Sequence, residues 1–133
     1  MDRLTIGKVS EITLCKIETI RYYEKEKLLP APPRSAGGHR IYSTQSVDRI
    51  VFIRRCRELG FSMLEVRELL SLVDQDHVSC EKVQVLTERH LSDIHAKIKD
   101  LRRMQRTLKE LSEQCSGLDV PECPIIDALQ SKA

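Results

Sequence analysis

The chain has few aromatic residues and little material for a large core. Of its 133 residues only 4% are aromatic and none is Trp, while 32% are charged. A chain of this size and composition suits helices that bury surface against a partner. We therefore expect a small domain with an appendage, in an obligate oligomer.

Signals for membrane insertion or export are also missing. No apolar run approaches the roughly 20 residues of a transmembrane helix. The start, MDRLTIGKVSEI, lacks the basic and then apolar pattern of a signal peptide. The expected location is the cytoplasm, with no membrane partner. In that reducing compartment five cysteines, an odd number, favour metal binding or redox chemistry over a disulfide framework.

The net charge of +2 hides an asymmetry along the chain. Residues 1–60 contain 12 Lys and Arg against 7 Asp and Glu, whereas residues 61–133 contain 10 against 13. The first part is therefore the candidate for contact with a phosphate backbone. No acid–base constellation typical of an enzyme is found in the sequence.

Two amphipathic segments, TIGKVSEI and KIETIRYYEKEKLL, predict short helices separated only by TLC, which suits a helix-turn-helix. The following PAPPRSAGGHRIY cannot be helical, because its prolines lack N–H donors and its Gly37-Gly38 pair favours a turn. This segment predicts a small β wing.

Capping signals predict two more helices. Ser43 or Thr44 caps a helix through QSVDRIVFIRRCREL, and Ser62 with Glu65 forms a capping box that opens MLEVRELLSLV. The globular part is expected to end near Asp74.

A long helix is predicted from Ser79 to about Gln114, where no Gly or Pro occurs. Its apolar residues follow a 3–4 spacing that is typical of a helix paired with another. At about 52 Å, roughly 35 residues of helix would overshoot a domain this small, so a two-chain coiled coil is favoured over a helix that folds back on its own domain. The residues of this stripe are Leu91, Ile94, Ile98, Leu101, Leu108 and Leu111, with Met104 nearby.

The blocks ETIRYYE, GGHRIY and RELGFS occur in an order that resembles the DNA-binding domain of MerR-type transcriptional regulators, and the similarity continues to CPIIDAL. Within that family the C-terminal part resembles the sensors of mercury, lead, cadmium, zinc and copper. The resemblance implies a homodimer on an inverted repeat between promoter elements that are spaced too far apart. Inducer binding then changes the DNA twist so that RNA polymerase can initiate.

The resemblance also implies the organisation of the chain and its DNA contacts. The expected fold is all-α, with a winged helix-turn-helix over residues 1–75, a dimerisation helix over 76–114 that forms an antiparallel coiled coil, and a metal-binding loop with a short helix over 115–133. The second helix would enter the major groove and the wing would hold phosphates. The predicted contacts are Lys16, Thr19, Arg21 and Tyr22 before and on that helix, and Arg34, His39, Arg40 and Tyr42 in the wing.

Two residues depart from the family pattern in the turn. Leu14 stands where relatives usually have Gly, and Lys16 stands where many have a small polar helix cap. Of the neighbouring Tyr22 and Tyr23, one is expected to pack in the core.

Three cysteines, Cys80, Cys115 and Cys123, are the candidate metal ligands. Cys80 and Cys115 are 35 residues apart, too far to share an ion within one helix, but 35 residues are five heptads and place both on one face. In an antiparallel pair Cys80 of one chain would meet Cys115 of the other, and Cys123 would complete the site after a turn through SGLDVPE. Cys15 and Cys56 are expected in the core.

Three thiolates select a soft ion, and mercury(II) is the leading candidate. Lead(II) and cadmium(II) follow closely, and zinc(II) more often takes four ligands or mixed nitrogen and sulfur. His77 and His90 are close enough in sequence to keep a mixed site open. Copper(I) sensors resemble CSGLDVPECPII but lack a cysteine at the position of Cys80. A disulfide switch between Cys115 and Cys123 is the redox alternative.

Overall fold

A computed structural model of the chain describes residues 3–115, 117 and 123–131. Cα packing separates the chain into two compact units, residues 1–86 and 87–133. The described residues form helices and no β-strand. In chain order these helices are α1 (Ile6–Thr13), α2 (Ile17–Lys25), α3 (Thr44–Glu58), α4 (Met63–Val73), α5 (Cys80–Glu113) and α6 (Pro124–Gln130).

Helices α1 and α2 form the predicted helix-turn-helix in the first unit. Helix α1 packs on α2 and α3, and α3 packs on α4. Their shared core contains Val9, Ile20, Ile50, Ile53 and Val66, all without solvent exposure. Packing in this core fixes the position of α2 and leaves its opposite face exposed.

Local capping explains where α3, α4 and α5 begin. The Ser43 hydroxyl accepts a hydrogen bond from the Ser46 N–H at 3.2 Å and caps α3. Ser62 and Glu65 form the predicted capping box of α4, with bonds of 3.2 and 2.9 Å. At α5 the Ser79 hydroxyl accepts from the Lys82 N–H at 3.3 Å.

The predicted small β wing is not seen as strands. Within the wing segment, which we define as residues 30–42, a single isolated antiparallel bridge joins Arg34 to Arg40, and a second bridge joins Tyr42 to Leu4 outside it. Three of the first four residues of this segment are prolines, which have no N–H to extend a ladder. Pairing is therefore limited to the residues around the turn.

Helix α5 has 34 residues, which corresponds to about 51 Å at 1.5 Å per residue. Within the second unit its apolar stripe includes exposed Leu91, Leu101, Met104 and Leu108. The coiled coil that would cover this stripe remains a prediction. Among the described residues, no helix combines the length and apolarity needed to cross a membrane.

Candidate nucleic-acid interface and cysteine sites

The outer face of α2 carries polar residues that were predicted to contact DNA. Arg21 is exposed, as is Lys16, the N-cap residue of α2, while Thr19 is partly buried. Tyr23 is buried and Tyr22 is 47% exposed, which confirms that one of the two tyrosines packs in the core. Cations and a tyrosine are thus presented on the face of α2 that the core leaves open.

A cavity of about 230 Å³ lies beside this face and collects basic groups from α2 and the wing segment. None of the residues that line it is acidic. Guanidinium groups and the free N–H groups of a helix N-terminus both favour anions, so this lining suits a phosphate. We call it the arginine cavity; its lining residues are Thr5, Ile6, Arg21, Arg34, Gly38, His39 and Arg40.

Glu24 of α2 joins the wing segment to the helix-turn-helix. Its Oε2 accepts a hydrogen bond from Arg40 Nε at 3.0 Å, and its Oε1 accepts one from the Tyr42 hydroxyl. Burial and then this hydrogen bond raise the pKa of Tyr42 above its ordinary value. Tyr42 is only 2% exposed. Its hydroxyl is therefore engaged by Glu24, and its contact with a DNA phosphate remains a prediction.

The turn of the wing segment is held by backbone and side-chain bonds. Arg34 Nη1 donates to the Gly38 carbonyl at 2.9 Å, and the Gly38 N–H donates to the Ser35 carbonyl at 2.9 Å. Gly38 has a φ of 82°, a left-handed conformation that favours glycine. His39 is exposed beside it. The turn thus places Arg34 and His39 at the arginine cavity.

The turn between α1 and α2 keeps a glycine-like conformation although its residue is leucine. Leu14 has φ 61° and ψ 23°, and its N–H donates to the Ser10 carbonyl at 3.0 Å. Its side chain is 77% exposed. Lys16 gives α2 no side-chain cap. The helix-turn-helix therefore forms although Leu14 and Lys16 depart from the family pattern.

Two of the five thiols lie in the core, as predicted. Cys15 and Cys56 are both buried. Burial raises the pKa of each thiol, although at Cys15 the hydrogen bond from Thr13 and the charge of Arg54 act in the opposite direction. Neither thiol is placed to bind an ion from solvent.

The other three thiols are accessible and lie at helix ends. Cys80 is exposed and is the first residue of α5. Cys115 follows the last residue of α5 by two positions, and Cys123 is the N-cap residue of α6, with Pro124 next to it. Both are partly exposed. These are the three cysteines that were predicted to bind a metal.

The structure describes only some of the other residues that were considered for the metal site. His77 is exposed, while His90 is buried and already engaged in an interaction. In the predicted metal loop Gly117 has a φ of 77°. The rest of SGLDVPE, including Pro121, lies outside the described residues.

Sequence reasoning missed Glu24 and Thr5. Glu24 was part of the quoted ETIRYYE block, but its role depends on a contact with Arg40, 16 residues away. The sequence offers one indication of this role: Glu24 is an acidic residue in a segment that was predicted to face DNA, which is itself acidic. Thr5 lines the arginine cavity and its hydroxyl accepts from the Lys8 N–H at 3.2 Å, a cap that its position before α1 could have indicated.

A helix-turn-helix with exposed cations and a basic cavity beside it indicates a DNA-binding protein. Two family models match the chain, "MerR HTH family regulatory protein" over residues 4–72 and "MerR, DNA binding" over residues 47–111. The chain belongs to the MerR family of transcriptional regulators, which bind DNA and are not enzymes.

Two curated relatives match over nearly their whole length. The mercuric resistance operon regulatory protein of Bacillus cereus is 43% identical over 131 residues, covering 98% of this chain and 99% of that protein. The HTH-type transcriptional regulator ZntR of Escherichia coli (strain K12) is 36% identical over 131 residues, covering 96% and 93%.

Two solved structures are also similar. PbrR691 from Ralstonia metallidurans CH34 in complex with lead(II) has a TM-score of 0.83 and 36% identity, covering 95% of this chain and 98% of that one. MerR from Bacillus megaterium MB1 in complex with mercury(II) has a TM-score of 0.74 and 38% identity, covering 96% and 100%.

Proposed function

We propose that the chain is a cytoplasmic, homodimeric regulator that binds an inverted repeat in promoter DNA and responds to mercury(II). The ion is held by Cys80 of one chain together with Cys115 and Cys123 of the other, and its binding distorts the DNA so that RNA polymerase transcribes heavy-metal resistance genes. The observation that carries this proposal is the division of the five thiols into two core residues and three accessible residues at helix ends.

The length of α5 supports a site shared between two chains. Cys80 begins a helix of about 51 Å and Cys115 follows its end, whereas a metal–sulfur bond is about 2.3 Å long. Two α5 helices in antiparallel order would bring Cys80 of each chain to Cys115 of the other. The two-fold symmetry of such a dimer produces two equivalent sites.

The donor chemistry supports a soft ion. Three sulfur ligands favour mercury(II) over harder ions. The similarity to a mercuric resistance regulator and to a regulator solved with mercury(II) supports the same choice. Lead(II), cadmium(II), zinc(II) and copper(I) are the alternatives, the first supported by the similarity to the PbrR691 complex.

The DNA-binding part of the proposal rests on α2 and the arginine cavity. Arg21 on the exposed face of α2 lies at the cavity, together with Arg34 and Arg40 of the wing segment. In this arrangement α2 enters the major groove while the wing segment holds the flanking phosphates.

The test is transcription in vitro from a promoter that carries the inverted repeat. Mercury(II) should raise transcript yield without releasing the protein from DNA. Cys80→Ser should abolish this response and leave DNA affinity unchanged, because Cys80 lies outside the helix-turn-helix. Glu81→Gln, which alters the next residue of α5 and keeps all thiols, is the matched control and should respond like the wild type.

Other outcomes would replace the proposal. Induction by copper(I) or silver(I), but not by mercury(II), lead(II) or cadmium(II), would assign the chain to the copper-sensing alternative. Induction by an oxidant without metal, together with a Cys115–Cys123 disulfide, would assign it to the redox alternative.

A further inference from the structure

The carboxylate of Glu24 lies where α2 meets the wing segment. It accepts hydrogen bonds from both Arg40 and Tyr42, and its side chain is 11% exposed. Tyr42 is in turn bridged to Leu4, which precedes α1. One carboxylate on α2 is therefore the hydrogen-bond acceptor for two residues of the wing segment.

The bond to Glu24 uses only one side of the Arg40 guanidinium. Its Nε–H donates to Glu24. This is one of the five N–H donors of an arginine side chain. Arg40 also lines the arginine cavity and is 27% exposed. A guanidinium can thus be held by a carboxylate through Nε while its terminal nitrogens face an anion in the cavity.

We propose that Glu24 is a positioning residue that orients Arg40 toward one phosphate of the DNA backbone in the arginine cavity. This inference rests on the proposed DNA binding. A free arginine side chain loses rotamer entropy when it is ordered, and the bond to Glu24 orders Arg40 before DNA arrives. Arg21 and Arg34 keep the cavity positive despite the nearby carboxylate.

A carboxylate can also compete with phosphate for the same guanidinium, which would give Glu24 the opposite role. The second bond from buried Tyr42 argues against competition, since it holds the carboxylate in place. Positioning and competition predict opposite changes in DNA affinity when the charge of Glu24 is removed.

The experiment compares Glu24→Gln with Glu26→Gln in the binding of full-length protein to a palindromic duplex over a range of salt concentrations. Glu26 is the matched control, because it lies two residues away and pairs with Arg67, which does not line the cavity. Glu24→Gln should weaken binding about tenfold, the typical effect of one hydrogen bond to a charged group. Glu26→Gln should bind at least as tightly as the wild type.

The salt dependence separates positioning from a general loss of structure. If Arg40 no longer engages its phosphate, the slope of log K against log salt should become shallower by about one contact, although the variant has gained positive charge. Arg40→Gln should show the same change, and the double variant should bind no more weakly than Arg40→Gln alone.

Unchanged or tighter binding by Glu24→Gln, a slope equal to that of the wild type, or additive losses in the double variant would overturn the inference. If Glu24→Gln does not fold, Glu24→Asp replaces it. This variant keeps the negative charge, but its carboxylate lies one methylene further from Arg40. A salt slope equal to that of the wild type would again overturn the inference. Failure of the wild-type protein to bind the duplex would instead refute the proposed function.

Discussion

At the scale of single residues, the same side chain has different chemistry in different surroundings. Cys15 and Cys56 are packed among apolar residues, where burial raises the pKa of the thiol and keeps it protonated. Cys80, Cys115 and Cys123 lie at helix ends with access to solvent. The first two are therefore expected to be inert and the other three reactive.

This difference predicts how many thiols of the reduced, metal-free protein react rapidly. A thiol-specific reagent at neutral pH should modify three cysteines rapidly and the remaining two only after unfolding. Cys80→Ser should lower the rapid count by one and leave the slow count unchanged. Rapid modification of all five thiols in folded protein would contradict the assignment of Cys15 and Cys56 to the core.

Leu14 predicts a gain in stability from a single substitution. A leucine at φ 61° is strained by about 1–2 kcal/mol, and its exposed side chain contributes little packing. Leu14→Gly should raise the free energy of unfolding by up to about 1 kcal/mol, after the greater entropy of glycine in the unfolded chain is subtracted. The measurement is urea unfolding. Ile12→Gly in α1 is the control and should destabilise; a loss of stability in Leu14→Gly would contradict the strain argument.

At the scale of helices and loops, Arg49 of α3 holds several segments together. Its Nε donates to the Leu28 carbonyl at 2.7 Å, and its two terminal nitrogens donate to Asp74 at 2.6 and 3.0 Å. Leu28 follows α2 and Asp74 is the C-cap residue of α4. This arginine thus joins α3 to the ends of two other helices of the first unit.

The Arg49–Asp74 pair predicts a pH-dependent stability. The hydrogen bonds from Arg49 lower the pKa of Asp74 below its ordinary value of 3.8, so the pair stabilises the fold above that pH and loses its effect as the pH falls below it. Asp74→Asn should lower the free energy of unfolding at neutral pH by less than about 1 kcal/mol, because the carboxylate is half exposed.

Urea unfolding at neutral and at acid pH checks this prediction. The difference between wild type and Asp74→Asn should close as the pH falls through the lowered pKa of Asp74. Asp76→Asn removes a carboxylate two residues away and should have no comparable effect. An equal difference at both pH values would show that the ion pair is not its cause.

Local signals predicted the helices well. Ser43 and the Ser62–Glu65 box marked where α3 and α4 begin, because a cap is formed by residues within one turn of each other. The pairing in the wing segment depends on residues that are distant in sequence. For that reason the strands of a β wing were predicted where the structure has only isolated bridges.

For the candidate site, the sequence predicted which residues to consider but not how the wing segment contacts α2. The three accessible cysteines and the exposed Arg21 could be chosen from spacing and family resemblance. The burial of Tyr42 and its bond to Glu24 could not, because both depend on how the wing segment folds against α2.

At the scale of the whole molecule, the proposed metal site requires a dimer. Most of the apolar stripe of α5 is exposed in the single chain. Of the three candidate ligands, Cys80 begins that helix and the other two follow its end. An antiparallel pairing of two α5 helices would cover the stripe and complete two metal sites at once. The central claim is therefore that each site contains residues of both chains.

A mixed dimer tests this claim most directly. One subunit carries Cys80→Ser, and the other carries both Cys115→Ser and Cys123→Ser. Neither parent homodimer has three thiolates at any site, although the first keeps a Cys115–Cys123 pair that can hold mercury(II) weakly. In the mixed dimer one site has all three thiolates and the other has none.

The measurement is mercury(II) binding by the purified mixed dimer in excess competing thiol, which removes the ion from the two-thiolate pair. The account predicts one equivalent of metal per mixed dimer with the charge-transfer absorption of a three-sulfur site, and no retained metal in either parent. Absence of rescue in a verified mixed dimer would contradict it, because the three cysteines would then not meet across the interface.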